Sequence, residues 1–161
     1  MSYYDPIRWI DPSDSLVDTI EAKLRASKIA KSNRGSKRRA YLPMRELELD
    51  IMVKESGEVL RLTEWRDRVG RFHLGLVNTS DTYRRGDFKV NSYHHNPNGV
   101  EIPPPHHIHF PTIKYPLNQR HTYAHPVQPT RDKSGEDFIS VLQLFCNYTN
   151  IMLSGVSLPL I

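Results

Sequence analysis

The sequence predicts an α+β fold: an antiparallel meander of about five strands, with an N-terminal and a C-terminal helix packed on one face. Three observations support this. Apolar and polar residues alternate from 46 to 54, apolar residues recur at helical spacing between 16 and 24, and a second helical stripe follows a capping sequence at 134–137. Helices that flank a run of strands are typical of α+β folds. A chain of 161 residues can bury a core of its own, so we predict a single domain over 1–161.

The two helices are predicted from their apolar spacing. Residues 1–12 form an N-terminal arm, and a helix over about 14–30 follows, because its apolar residues lie three and four positions apart. The final helix opens with the capping box Ser134-Gly135-Glu136-Asp137. The apolar residues of the first helix are Leu16, Val17, Ile20 and Leu24, and those of the last are Phe138, Val141, Leu142 and Phe145.

The strands are predicted from period-two alternation. The clearest one covers 46–54, and the hairpin turn Ser56-Gly57 leads to a second strand over 59–67. A third strand covers 71–77, a fourth is marked by Phe88 and Val90, and a fifth covers 106–110. Residues 28–42 form a basic loop in this interpretation, and residues 111–133, which are polar and contain several prolines, form a long loop.

Charge and composition restrict the function classes. The formal net charge is +4 and the isoelectric point about 9.2, which favours an anionic partner such as RNA. One cysteine excludes an internal disulfide and a multi-cysteine zinc finger. No apolar run approaches the ~20 residues that a membrane span needs, and the polar N-terminus differs from a signal peptide. We therefore expect a cytoplasmic protein with no membrane partner.

The most informative stretch is 93–111, which contains five of the eight histidines: His94, His95, His106, His107 and His109. A turn at 96–99 and the prolines at 103–105 separate the two histidine groups. In a strand, successive side chains point to opposite faces, so His107 and His109 share one face. We expect the other face, with Ile108 and Phe110, to meet the core. The two histidines would then lie on the solvent or cleft side.

Two resemblances rest on these residues. The pattern His-x-Asn-Pro-[Asn/Asp]-Gly at 94–99, followed by His-x-His at 107–109, resembles the signature of a family of small uncharacterised bacterial proteins, and segment 144–151 is similar to that family's closing helix. The first resemblance implies no activity. More loosely, Pro105-His106-His107-Ile108-His109 with His94-His95 before it is similar to the histidine pattern of TumE-type toxins. That resemblance implies RNA as the target and a cognate antitoxin as a partner.

A metal-independent endoribonuclease of toxin type is the first functional hypothesis. Cleavage of RNA through its 2′-hydroxyl needs a base, an acid and cations near the phosphorane, and histidine has a pKa suited to both proton transfers. We expect His107 and His109 to transfer protons without a cofactor, and Tyr93 to stack on a base or share a proton. The full set of candidate catalytic residues is His94, His95, His107, His109, Tyr93, Arg84 and Arg85.

The basic loop offers a candidate site for the phosphate backbone. It carries no acid between 28 and 39, and its candidate nucleic-acid-binding residues are Lys31, Arg34, Lys37, Arg38 and Arg39. A solvated connector is the alternative interpretation of the same segment.

Two other functions compete with the ribonuclease. Histidines two apart on a strand can both reach one ion, so zinc or another divalent metal could bind at His107, His109 and either His95 or His94. A non-catalytic module that binds nucleic acid or protein is the third hypothesis. The sequence alone leaves all three open.

Overall fold

A computed structural model of the chain describes residues 6–38, 45–128 and 137–153. A short 3-10 helix, Ile7–Trp9, precedes helix α1. The elements that follow are α1 (Asp18–Arg25), β1 (Lys28–Arg38), β2 (Arg45–Val53), β3 (Val59–Arg66), β4 (Phe72–Val77), β5 (Thr82–Phe88), β6 (His94–His95), β7 (Glu101–Ile102), β8 (His107–Phe110), β9 (Tyr123–Pro126), α2 (Phe138–Thr149) and β10 (Ile151–Met152).

The described strands form an eight-stranded mixed sheet in the order β10-β1-β2-β3-β4-β5-β8-β9, and β6 and β7 form a separate two-stranded ribbon. The β1–β10 pair is parallel, and the other pairs of the large sheet are antiparallel. The predicted five-stranded antiparallel meander is therefore wrong. The sheet is larger because segments without apolar alternation, including β1, also join it through their backbone hydrogen bonds.

Two predicted loops contain strands. Residues 28–38 of the predicted basic loop are β1, whose backbone pairs with the strongly alternating β2, with register shifts between Ala30 and Ser32 and between Asn33 and Gly35. Residues 39–42 of that loop lie outside the described residues. In the predicted long loop over 111–133, residues 123–126 are β9, and 129–133 lie outside the described part. Backbone pairing does not require an apolar side chain, so alternation did not reveal these strands.

The core lies on one face of the large sheet. Leu49, Leu62 and Leu74 from neighbouring strands pack in one cluster with side chains of both helices, such as Leu24 of α1 and Phe145 of α2. Helix α1 is shorter than the predicted 14–30. Helix α2 starts at Phe138, and its cap is Asp137, whose Oδ1 accepts a hydrogen bond from the Ser140 amide at 2.8 Å; residues 134–136 of the predicted capping box lie outside the described residues. In the described ranges, no helix has the length and apolar content needed to cross a membrane.

A close approach between helix and sheet depends on Gly86 of β5. A Cβ atom at this position would lie 2.9 Å from Cδ2 of Phe145 and 2.8 Å from Cε2 of Phe88. Real Cβ atoms essentially never make such short contacts. Glycine at this position therefore allows α2 to pack directly against the centre of β5.

Candidate functional site

The face of the sheet opposite the core carries the polar residues of the candidate site. Cross-strand pairing places residues of β3, β4, β5 and β8 in two adjacent rows, and side-chain alternation directs both rows to this face. The first row is Trp65, His73, Asp87 and His107. The second row is Thr63, Gly75, Arg85 and His109.

Three histidines converge at the β8 end of these rows. His107 and His109 lie on β8, and His94 of β6 lies over them. One nitrogen atom of each ring can be chosen so that all three lie within 4.8 Å of one another. The ring centroids of His94 and His109 are 4.7 Å apart, as are those of His107 and His109, and those of His94 and His107 are 5.2 Å apart. We call His94, His107 and His109 the histidine cluster.

The cluster is buried, which corrects the expectation of an open histidine face on β8. His107 is 6% exposed and His109 3%, while Ile108 and Phe110 are buried on the other face, so the strand is covered on both sides. The cover is the ribbon β6–β7, which the side chain of Asn96 ties to β9. Its Nδ2 donates to the carbonyl of Ala124 at 3.0 Å, and its Oδ1 accepts from the amide of Ala124 at 2.8 Å.

Thr122 holds two rings of the cluster in place. Nε2 of His94 lies 2.8 Å from the Thr122 carbonyl oxygen. Because a carbonyl only accepts hydrogen bonds, this Nε2 carries the proton and Nδ1 of a neutral His94 keeps its lone pair. Nδ1 of His109 lies 2.7 Å from the Thr122 hydroxyl, which leaves Nε2 of His109 directed into the cluster. Contacts of this kind orient the histidine ligands of metal sites.

Asp87 adds a carboxylate to the cluster. Its Oδ2 lies 3.0 Å from Nε2 of His109 and 3.3 Å from Nε2 of His107, and these two nitrogens are 3.0 Å apart. Two ligand atoms of a tetrahedral zinc ion, each at about 2.0–2.1 Å from the metal, are separated by about 3.3 Å. The three atoms are thus spaced like three ligands of one ion.

The other carboxylate oxygen of Asp87 connects the cluster to the surface. Oδ1 lies 2.7 Å from Nδ1 of His73, and Nε2 of His73 lies 3.2 Å from Oδ2 of Asp67. Burial opposes the charge on His73, but its hydrogen bonds to Asp87 and Asp67 raise its pKa. Burial also opposes the charge on Asp87, yet its hydrogen bonds to His107, His109 and His73 hold its pKa well below the usual range.

Burial makes two rings of the cluster weak bases. It lowers the pKa of His109 to about 3 and also lowers the pKa of His94. Both imidazoles are therefore neutral at neutral pH, and a neutral imidazole has the lone pair that a metal ion requires. A histidine with so low a pKa is not an imidazolium near pH 7 and cannot act there as the general acid.

The remaining predicted histidine, His95, and Tyr93 lie outside the cluster. The side chain of His95 is 68% exposed, and its Nδ1 lies 3.3 Å from a carboxylate oxygen of Glu101. Of the two candidates for a third metal ligand, the fold thus brings His94, not His95, to His107 and His109. Tyr93 is exposed and comes directly before β6.

The two adjacent arginines occupy different environments. Arg84 is buried, and its Nη2 donates to Oε1 of Glu21 at 2.7 Å, which joins β5 to α1 and leaves no exposed cation for a phosphate. Arg85 points to the opposite face, where it pairs across the strands with His109. Its Nη1 donates to the carbonyl of Leu117 at 3.3 Å. Arg85 is therefore the one of the two that lies beside the cluster.

The predicted phosphate-binding residues are distant from the cluster in the sheet. Lys31, Arg34, Lys37 and Arg38 belong to β1, and four strands, β2 to β5, separate β1 from β8. Lys31 is exposed. Arg39 lies outside the described residues.

Sequence reasoning missed Asp87, Thr122 and Asn96. Asp87 alternates with Phe88, so its place on the face away from the core could be inferred from the sequence. Its position beside His107 could not, because that depends on the pairing of β5 with β8 across a connection with no regular pattern. No sequence signal marked Thr122 or the clamp that Asn96 makes on β9.

Residues 44–151 match the model of a family of unknown function, DUF6978. The chain belongs to this family. The matched region contains the whole histidine cluster, Asp87 and Thr122, so the candidate site lies within the shared part of the chain. No curated protein and no solved structure matches the chain. The predicted membership of an uncharacterised family is confirmed, and the likeness to TumE-type toxins stays a prediction.

Proposed function

We propose that the histidine cluster binds one divalent transition-metal ion, with zinc as the first candidate. The observation that carries this proposal is the convergence of one nitrogen from each of His94, His107 and His109 within 4.8 Å. Nδ1 of His94 and Nε2 of His107 and His109 would be the ligands. Imidazole nitrogens suit zinc, copper, iron and nickel, whereas magnesium and calcium prefer oxygen.

The surroundings of the cluster support a cation at its centre. Nε2 of His107, Nε2 of His109 and Oδ2 of Asp87 all point at one another within 3.3 Å. Nδ1 of His107 is buried and has no hydrogen-bond partner among the described residues, so the other nitrogen carries the polar interactions of this ring. One cation would take the place of the protons shared among these three atoms and could be bound by all three at once. Asp87 would be the fourth ligand or would bind a metal-bound water.

The metal-independent ribonuclease, its RNA substrate and a cognate antitoxin stay predictions, as does the cytoplasmic location. Burial of His107 and His109 favours the metal site, because a phosphodiester would need access to both rings at once. One assay distinguishes the ribonuclease hypothesis from a metal-dependent activity. Cleavage of RNA in excess chelator would support the ribonuclease, whereas a metal-dependent activity would stop under the same conditions.

Zinc binding to the purified chain tests the proposal. After treatment with a chelator, calorimetric titration with zinc and elemental analysis should give one equivalent per chain. His107→Ala and His109→Ala should abolish this binding. Matched controls are His95→Ala and His121→Ala, which remove histidines exposed on the surface and should leave it intact. Equal zinc binding by the cluster variants and the controls would refute the metal centre.

A further inference from the structure

We propose that the open part of the sheet face beside the histidine cluster binds single-stranded nucleic acid. A base would stack on Trp65, and a neighbouring phosphate would lie at Arg85, at the edge of the buried cluster. The role of the cluster in binding phosphate rests on the proposed metal centre, but the stacking on Trp65 and the contact with Arg85 do not.

The face is covered over β8 and open over β3 and β4. His107 and His109 are buried there beneath the ribbon β6–β7. Farther from β8 along the same two rows, the side chains are more exposed to solvent: His73 and Arg85 are half-buried, and Trp65 is 38% exposed. The buried cluster therefore borders a shelf open to solvent, which consists of Trp65, His73, Gly75 and Arg85.

Trp65 provides a flat surface for a base. Its ring stacks on His73 with centroids 4.2 Å apart and planes 24° apart, and His73 is in turn hydrogen-bonded to Asp87 and Asp67. The indole is thus held by a fixed neighbour while it stays partly open to solvent. An exposed and immobilised aromatic ring is the feature on which proteins stack unpaired bases, and each such stack contributes about 1–3 kcal/mol.

Gly75 keeps the middle of the shelf free. A Cβ atom at this position would meet the Thr63 hydroxyl at 3.2 Å and Cγ1 of Val77 at 3.7 Å. Both neighbours belong to β3 and β4 themselves. Among the described residues, no atom from another element lies within 4 Å above this position. The glycine therefore adds no side chain to the face between Trp65 and Arg85.

Arg85 supplies the positive charge. Its guanidinium has five N–H donors, and within the described ranges its hydrogen bond is the one to the Leu117 carbonyl. It lies directly across from His109, so an anion bound to Arg85 would also face a metal ion in the cluster. Trp65 lies two strands from β5, or about 10 Å, and its row is displaced from the Arg85 row by about 7 Å along the strands, so the two residues are about 12 Å apart. A strand of nucleic acid can span that distance with a base at one end and a phosphate at the other.

The combination of an aromatic platform and a cation selects nucleic acid among anionic ligands. A protein partner would call for an apolar patch, and the indole is the one apolar side chain among the four residues of this shelf. The net charge of +4 also favours a polyanion. Stacking does not depend on base identity, so we expect weak sequence preference, and the phosphate contact at Arg85 adds a salt dependence with a slope of about one.

Fluorescence polarisation with a labelled, mixed-sequence single-stranded DNA tests this inference. DNA lacks the 2′-hydroxyl, so the predicted ribonuclease could not cleave the probe. Trp65→Ala should raise the Kd about 10-fold or more, whereas Trp65→Phe should keep most of the affinity. Arg85→Gln should lower the slope of log affinity against log salt by about one. Ile113→Ala, which changes an exposed apolar residue elsewhere, is the matched control and should bind like the wild type.

The outcomes separate this inference from the metal centre. Zinc titration of Trp65→Ala should be unchanged, which also shows that the variant is folded. Gly75→Val gives a second test, because it fills the shelf and leaves Trp65 in place. Absence of DNA binding by the zinc-loaded wild type, or equal Kd values for the wild type, Trp65→Ala and Gly75→Val, would overturn the nucleic-acid site. A wild type that binds DNA but no zinc would instead overturn the metal centre and leave the nucleic-acid site standing.

Discussion

His73 offers a test of how the proposed metal centre is supported from outside its ligands. Nδ1 of His73 lies 2.7 Å from Oδ1 of Asp87, whose other oxygen faces the cluster. Replacing His73 by Ala leaves Oδ1 without this partner, and the carboxylate can then turn away from Nε2 of His109. We expect the zinc affinity to fall although no ligand has changed.

The expected loss of zinc affinity in His73→Ala follows from the position of His73 relative to the proposed ligands. The residue removed is one contact away from the proposed ligands, and outer contacts of that kind change metal affinity about 10- to 100-fold. That range corresponds to about 1.4–2.7 kcal/mol of binding free energy. His73→Gln should recover part of the loss, because its amide can donate to Asp87. Loss of a ligand, as in His109→Ala, should cost far more.

The assay is a competition titration of zinc against a chromophoric chelator, combined with thermal melts of the zinc-free and zinc-loaded forms. A lower Tm of zinc-free His73→Ala would indicate a structural role for His73. The difference in Tm between the zinc-loaded and zinc-free forms of each variant separates that role from zinc affinity. His121→Ala is the control, because His121 is exposed and outside these contacts. If His73→Ala binds zinc as tightly as His121→Ala does, the contact between His73 and Asp87 does not support the metal centre.

Two further predictions concern buried positions of the sheet. Both carboxylate oxygens of Glu64 are buried with no hydrogen-bond partner among the described residues, and burial raises the pKa of Glu64 well above its usual value. The folded chain therefore holds a proton that the unfolded chain releases at lower pH, so stability falls as pH rises above about 4.3. Glu64→Gln should remove this decrease, which urea melts at about pH 5 and about pH 8 would measure as a change in the free energy of unfolding. The same change between the two pH values in wild type and variant would contradict a raised pKa for Glu64. Gly86→Ala should cost about 1–3 kcal/mol in a urea melt, because its Cβ would overlap Phe145, and Gly75→Ala should cost less.

The strands that the sequence predicted best are those with one apolar face and one polar, solvent-exposed face. The predictions 46–54, 59–67 and 71–77 correspond to Arg45–Val53, Val59–Arg66 and Phe72–Val77. In these strands, burial on a single face imposes the alternation that the sequence displays. Strand β8 is different, because both of its faces are buried in the structure. Its period of two therefore indicated which side chains share a face and said nothing about which face is open.

Strands β1 and β9, near the two ends of the sheet, could not be predicted for a different reason. Strand β1 carries a basic, serine-containing sequence and is held by backbone pairing to β2 and β10. Strand β9 follows a proline-containing segment and pairs with β8. Their pairing depends on partners far away in the chain, and no local residue pattern specifies such partners. The predicted sheet had too few strands because the prediction included only strands whose apolar and polar residues alternate.

The motif at 94–99 illustrates what the sequence could and could not predict about the site. Read as residues, His-x-Asn-Pro-x-Gly is a turn beside a histidine, and the turn is present: Gly99 has a φ of 86° and donates its amide to the Asn96 carbonyl at 2.9 Å. In the fold, Asn96 also clamps the ribbon to Ala124 of β9, and this contact brings His94 over β8. The spacing of the motif is therefore explained by geometry. His94 enters the cluster, Asn96 two positions later fixes the ribbon, and Gly99 reverses the chain, which then returns to place His107 and His109 on β8.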